Sequence, residues 1–151
     1  MSYSKINPML WFHVSEGKLQ TVIDYYAGVF GDNFSSGPII SLGNTPGGYA
    51  EMGSFTLFGQ SYQLMTSSEL HHSFNDSFSN VLMCADQAEL DHFWNYFTLE
   101  GKESMCGWCQ DKFGLRWQVI PQNMGELLAQ PNGHAVMMQQ RKIVIADYFN
   151  Q

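Results

Sequence analysis

The chain has 151 residues, 44% hydrophobic and 14% charged, a balance that supports one globular domain and excludes disorder. Fourteen acidic against seven basic side chains give a net charge of −7, which disfavours nucleic acid and anionic membrane as partners. Nothing approaches the roughly 18 apolar residues of a membrane span, Met1-Ser2-Tyr3-Ser4-Lys5 lacks a signal-peptide core, and an odd number of cysteines fits a reduced compartment, so a cytoplasmic protein is expected.

Residues 8–14 predict a first strand, on which Met9, Trp11 and His13 share one face. Over 16–30, Leu19, Val22, Ile23, Tyr26, Val29 and Phe30 trace one face of a helix that Gly31 and Asp32 stop. Residues 38–42 predict a short strand and 43–48, with Pro46 inside, a loop. Residues 51–58 and 61–66 predict a hairpin across Gly59-Gln60. The polar stretch 67–77 is the best internal linker, and 78–84 predict another strand. Asp86, with Glu89 three residues later, predicts a capped second helix that buries Leu90, Phe93, Trp94 and Phe97 and closes at Glu100-Gly101. Residues 102–111 and 116–121 predict the closing strands around the turn signal Phe113-Gly114. In the last strand Arg116, Gln118 and Ile120 alternate with Trp117 and Val119. Residues 123–130 predict a short helix. Beyond Pro131, Val136, Met137, Met138, Ile143, Val144, Ile145, Tyr148 and Phe149 are too much apolar surface to leave undocked. Their expected seat is a sheet edge or the helices, of a second subunit.

The two halves repeat. At an offset of 70, Met9 falls on Ser79, Val14 on Cys84, Ile23 on Phe93, Tyr26 on Tyr96 and Gly31 on Gly101. At an offset of 55, Phe58 falls on Phe113, Gly59 on Gly114, Tyr62 on Trp117 and Gln63 on Gln118. Each half reads β-α-β-β-β. Both helix stops and both hairpin turns coincide, which favours duplication over a chance match of amphipathic helices.

The wording Cys106-Gly107-Trp108-x-x-Asp111-x-Phe113-Gly114-x-x-Trp117-Gln118-x-x-Pro121 resembles the PhnB-like branch of the vicinal oxygen chelate superfamily. So do Pro8-x-Leu10-x-Phe12, Phe55-x-Leu57-x-Gly59-Gln60 and Ala85-Asp86-Gln87-Ala88-Glu89-x-Asp91, and the similarity runs over about residues 6–145. That superfamily includes glyoxalase I, extradiol dioxygenases and the fosfomycin- and bleomycin-resistance proteins. The resemblance implies an α+β fold in which two β-α-β-β-β modules, about 6–67 and 78–121, form a glyoxalase/bleomycin-resistance-like cup, followed by a C-terminal helical extension over 122–151. It also implies a homodimer. Members of the branch are often labelled 3-demethylubiquinone methyltransferases. A doubly wound methyltransferase would hold its cofactor on a strand, a Gly-rich turn and a helix. Gly43 to Gly48 is followed by no helical pattern.

Metal-dependent relatives place a His or similar ligand early on each module's first strand and a Glu on its last. The repeat puts those slots on Met9, Ser79, Gln63 and Gln118, none of them imidazole or carboxylate. Soft or neutral groups do not suit a divalent ion, so no metal and no cofactor is expected, although a shifted register would bring in His13. By strand alternation the cup is lined by Met9, Trp11, His13, Gln63, Met65, Ser79, Val81, Met83, Arg116 and Gln118, an apolar surface with a few polar groups that suits a small organic molecule. Cys106-Gly107-Trp108-Cys109 offers a thiol redox motif, but a strand follows it where dithiol chemistry wants a helix N-terminus. His71-His72 could complete a zinc site with it, with no spacing argument in favour. The readings that remain are a metal-free binding protein, a superfamily enzyme of lyase, dioxygenase or transferase type with or without a metal and with His13 as a possible general base, and a Cys-x-x-Cys redox protein.

Overall fold

The computed structural model describes residues 4–69 and 72–150. Met1, Ser2 and Tyr3 of the N-terminal reading and His71 of the zinc reading lie outside the described residues. The chain divides into two compact units, Met1–Ser73 and Phe74–Gln151.

Unit 1 contains strand β1 (Met9–His13), helix α1 (Leu19–Phe30), a 3-10 turn over Gly31–Asn33, and strands β2 (Phe34–Ser36), β3 (Ile40–Thr45), β4 (Gly48–Leu57) and β5 (Gln60–Ser67). The sheet order is β1-β5-β4-β2, with β1 parallel to β5 and β3 also paired to β4. β2 and β3 lie on the same edge of β4, opposite 55–57 and 48–52, and so form one edge strand broken around Gly37-Pro38-Ile39. Two expectations are corrected here. Residues 43–45 are strand rather than loop, kinked at Gly43 (φ 68°). The hairpin turns at Phe58-Gly59, one residue early, with both residues at positive φ (46° and 81°) as a two-residue turn of this hand demands. Phe58 takes that strained conformation while packing edge-on against Phe30, 5.8 Å between centroids.

Helix α1 buries Leu19, Val22, Ile23, Tyr25, Tyr26, Val29 and Phe30 against the sheet. It ends at Gly31 (φ 54°), whose N–H returns to the Ala27 carbonyl. Lys18 offers its N-terminus no side-chain cap, and Glu51 of β4 supplies one instead: Oε1 accepts from Leu19 N–H at 2.7 Å. Burial pushes the Glu51 carboxyl up. The Leu19 N–H, the Tyr49 hydroxyl (2.7 Å) and the Lys18 charge outweigh that and hold it below its ordinary value.

Unit 2 contains strand β6 (Ser79–Cys84), helix α2 (Gln87–Glu100), strands β7 (Lys102–Glu103), β8 (Trp108–Gln110) and β9 (Arg116–Pro121), helices α3 (Met124–Leu128) and α4 (Gly133–Gln139), and a 3-10 turn over Ile145–Tyr148. The order β6-β9-β8-β7, with β6 parallel to β9, repeats that of unit 1. Asp86 caps α2 by accepting from Glu89 N–H at 2.9 Å, while Glu89 reaches back to Ala85 N–H at 3.1 Å. The expected face of Leu90, Phe93, Trp94 and Phe97 is the buried one. The expected strand over 102–111 breaks in two around Cys106 and Gly107, both at positive φ (59° and 84°).

The C-terminal segment docks within unit 2. Ile143 and Tyr148 are 0% and 1% exposed. Gln87 donates to the Ile143 carbonyl (3.0 Å) and accepts from Ile145 N–H (2.8 Å). The Gln140 and Arg141 carbonyls accept from Cys106 and Gly107 N–H, both at 2.8 Å. The expected seat on a second subunit is therefore not needed for these residues. Among the described residues no helix is long and apolar enough to cross a membrane.

Candidate functional site

Strand alternation divides each sheet into a helix-facing side and an open side. In unit 1 Leu10, Phe12, Tyr62, Leu64 and Thr66 are buried, while Met9 is 48% exposed and Trp11, His13, Gln63 and Met65 are exposed or half-buried. The ladder sets Met9 opposite Gln63, Trp11 opposite Met65 and His13 opposite Ser67. Of these, Trp11 and Met65 come together in a cavity of about 410 Å³ whose other walls include Leu42, Pro46, Ala50 and Ser67. Trp11 is oriented by its own donor, Nε1–H to Ser67 Oγ at 3.0 Å, and its ring lies 4.3 Å from that of His72. The β3–β4 tip is fixed by its own bonds: Thr45 Oγ1 donates to the Gly48 carbonyl (2.8 Å) and accepts from Gly47 N–H (3.0 Å). Leu42, Pro46, Ala50 and Ser67 are absent from the sequence expectations: Pro46 lies in the predicted loop 43–48, Ser67 in the predicted linker 67–77, and Leu42 and Ala50 come to the cavity through the β3–β4 pairing. A tight hairpin around Pro46-Gly47 is the signal that could have found them. His13 sits outside the cavity lining, and the Ser68 carbonyl, 3.2 Å from its Nε2, accepts from that nitrogen in the Nε2–H tautomer.

In unit 2 the open side carries Ser79, Val81 (51% exposed) and Met83 (63% exposed) on β6, Arg116 and Gln118 on β9, and Trp108 and Gln110 on β8. Gln118 Nε2 donates to Ser79 Oγ at 3.0 Å. Arg116 lines a second cavity, of about 300 Å³, with Asp76, Met105, Cys106, Trp108 and Gln110. Val81, Met83 and Gln118 do not line it. Trp108 and Gln110 join the open side because they pair with Gln118 and Arg116, a register that the sequence alone does not state.

The ladders also correct the repeat. Met9 pairs with Gln63, but Gln118 pairs with Val81, and Ser79 with Arg116. The counterpart of Met9 is therefore Val81, an offset of two from Ser79 on the same face. The residues at the four implied ligand slots do not fit a divalent metal under either alignment, because they provide a thioether, neutral amides, and a hydroxyl or a hydrocarbon. Among the described residues no group of three His, Cys, Asp or Glu could hold one.

The Cys-Gly-Trp-x-x-Asp wording has a structural explanation. Asp111 is 2% exposed; Oδ1 accepts from Phe113 N–H (2.9 Å) and Leu115 N–H (3.1 Å), and Oδ2 from Trp117 Nε1–H (2.9 Å). Trp117 then stacks on Phe97 of α2 at 4.5 Å and 16°. The motif thus builds the β8–β9 turn and fastens β9 to its helix. Its second cysteine is buried: burial first, then the Asp111 and Glu103 charges, push the Cys109 thiol up to about 12, the reverse of what a redox dithiol needs.

The family described as 3-demethylubiquinone-9 3-methyltransferase matches residues 4–120. Among solved structures, a PhnB protein from Bacillus cereus described as a 3-demethylubiquinone-9 3-methyltransferase is 25% identical, with a TM-score of 0.63 over 78% of this chain and 99% of its own. Protein PA1353 from Pseudomonas aeruginosa is 17% identical, with a TM-score of 0.58 over 79% of this chain and 98% of its own. A variant of the fosfomycin resistance protein FosX from Listeria monocytogenes, complexed with Mn(II) and a dihydroxypropylphosphonic acid, is 13% identical, with a TM-score of 0.51 over 78% of this chain and 90% of its own. The last two speak for the fold alone. No curated protein matches the chain. With two sheets of matching topology and the α2-anchored motif, these matches carry one conclusion: the chain belongs to the family described as 3-demethylubiquinone-9 3-methyltransferase, the PhnB-like branch of the glyoxalase/vicinal oxygen chelate superfamily.

Proposed function

We propose that this chain binds a small, uncharged or weakly polar organic molecule on the open side of its sheets, without a metal. The observation that carries the reading is the apolar cavity of about 410 Å³ in unit 1, walled by Trp11, Leu42, Pro46 and Met65. Its size lies within the range of about 300–1,000 Å³ usual for small-molecule sites. Trp11 provides the aromatic wall, held by Ser67. Gln63, on the same face of β5 as Met65, offers a neutral donor and acceptor that orient a ligand without asking it to carry charge. Calorimetric titration with p-cresol in the presence of EDTA tests this. Binding that survives EDTA and weakens about tenfold or more in Trp11→Ala is expected; a requirement for added Mn²⁺ or Zn²⁺, or indifference to Trp11→Ala, would overturn it. One equivalent of metal per chain by elemental analysis, lost in Gln118→Ala, would do the same. The assembly is proposed to be a homodimer, which light scattering near twice 17.1 kDa would support and a clean monomer would refute.

A second reading, a metal-independent enzyme, draws on His13. If Nε2–H donates to the Ser68 carbonyl, Nδ1 is left as the base. Turnover across a panel of small carbonyl compounds, abolished in His13→Gln, would favour it over simple binding.

A further inference from the structure

In unit 2, Arg116 is a fixed cation with a loosely held partner. Its side chain is only 16% exposed. One terminal nitrogen donates to the Phe74 carbonyl (2.9 Å) and the Gly114 carbonyl (2.8 Å), which are neutral and set the guanidinium in place. Nε donates to Asp76 Oδ1 at 2.8 Å, and the Asp76 side chain is 78% exposed. Among the described residues Asp76 is the one charge that answers Arg116, and Nη2 has no hydrogen bond. Both side chains line the cavity of about 300 Å³, beside Trp108 and Met105.

These observations separate what positions the arginine from what neutralises it. An exposed ion pair adds little net stability, so Asp76 is readily displaced. The two backbone carbonyls remain bonded when it leaves. A planar guanidinium with a free terminal nitrogen then offers the fork geometry that suits an oxyanion. A chain of net charge −7 repels anions in general, so capture of one here requires such a built seat.

We propose that the unit 2 cavity binds a small organic monoanion, its carboxylate on Arg116 in place of the Asp76 carboxylate and its apolar body against Trp108 and Met105. The inference rests on unit 2 alone and does not depend on the apolar cavity of unit 1. Benzoate is the probe and benzyl alcohol its neutral counterpart, with the Trp108 indole N–H followed by NMR during titration. Benzoate is expected to saturate this signal at lower concentration than benzyl alcohol. Asp76→Asn removes the resident competitor at an exposed position and should tighten benzoate binding by about twofold to fivefold, leaving benzyl alcohol unchanged. Arg116→Gln should lose the preference for benzoate. In Trp11→Ala the benzoate response should be intact, whereas p-cresol binding to unit 1 should not. Unchanged or weaker benzoate binding in Asp76→Asn, a benzoate preference retained in folded Arg116→Gln, or loss of the response in Trp11→Ala would each overturn the assignment. If Arg116→Gln fails to fold, the Asp76→Asn comparison decides by itself.

Discussion

Removing the carboxylate of Asp111 strands three N–H donors, those of Phe113, Leu115 and the Trp117 indole, in a site 2% exposed. Asp111→Ala is therefore expected to destabilise by about 3–4 kcal/mol, read as a lower denaturant midpoint at unchanged slope. Unit 2 also predicts how its thiols react. Cys84 and Cys109 are 0% and 1% exposed, and burial pushes both up to about 12, with nearby carboxylates adding to it. Cys106 is half-buried and lines a cavity. A thiol reagent at pH 8 should modify one cysteine per folded chain and three after denaturation; two reacting in the folded state would revive a dithiol role. Asp111 stands in the wording that carries the family resemblance, but its three-donor role was not legible there, because the partners depend on the path of the 111–117 turn. The open-side residues of β1, β5, β6 and β9 were legible from alternation alone. Trp108 and Gln110 were not, since their side depends on pairing with β9.

At the scale of the helix, α1 and α2 are read equally well by periodicity, yet only the cap of α2 is written locally. Asp86 and Glu89 lie within four residues of each other, whereas the group that caps α1 is Glu51, 32 positions from Leu19. Glu51→Gln should cost about 1–2 kcal/mol at neutral pH through loss of the negative charge at a helix N-terminus. The carboxyl is held below its ordinary value in the folded state, so the unfolded chain takes up protons first as pH falls. The stabilisation is complete above the unfolded value and disappears as pH falls through the lower folded one. Thermal melts of wild type and Glu51→Gln should thus differ most near neutrality and converge as pH falls below 4.5; a gap that widens in acid would contradict this. β2 and the second half of β3 escaped the sequence for a related reason. They are strands only because β4 is long enough to pair with both.

Over the whole chain, the repeat was legible as two helix stops and two hairpin turns, while its register was off by two at β6 because Met9 and Ser79 look equally placed without their partners. The destination of the C-terminal segment was not legible, since apolar content says that it docks and not where. Ile143 is fully buried in unit 2, so Ile143→Ala should cost about 2–5 kcal/mol and increase proteolysis after residue 139. Unchanged stability would mean that the segment is not held there. The unequal capping of the two helices has a further consequence, for kinetics. The cap of α2 closes across three residues and can form before any sheet exists; the cap of α1 requires a loop of some 30 residues to close first. Two halves of one topology should therefore assemble in different order, helix early in the second and helix late in the first. Stopped-flow measurements should find Asp86→Ala slowing refolding, and Glu51→Gln mainly accelerating unfolding.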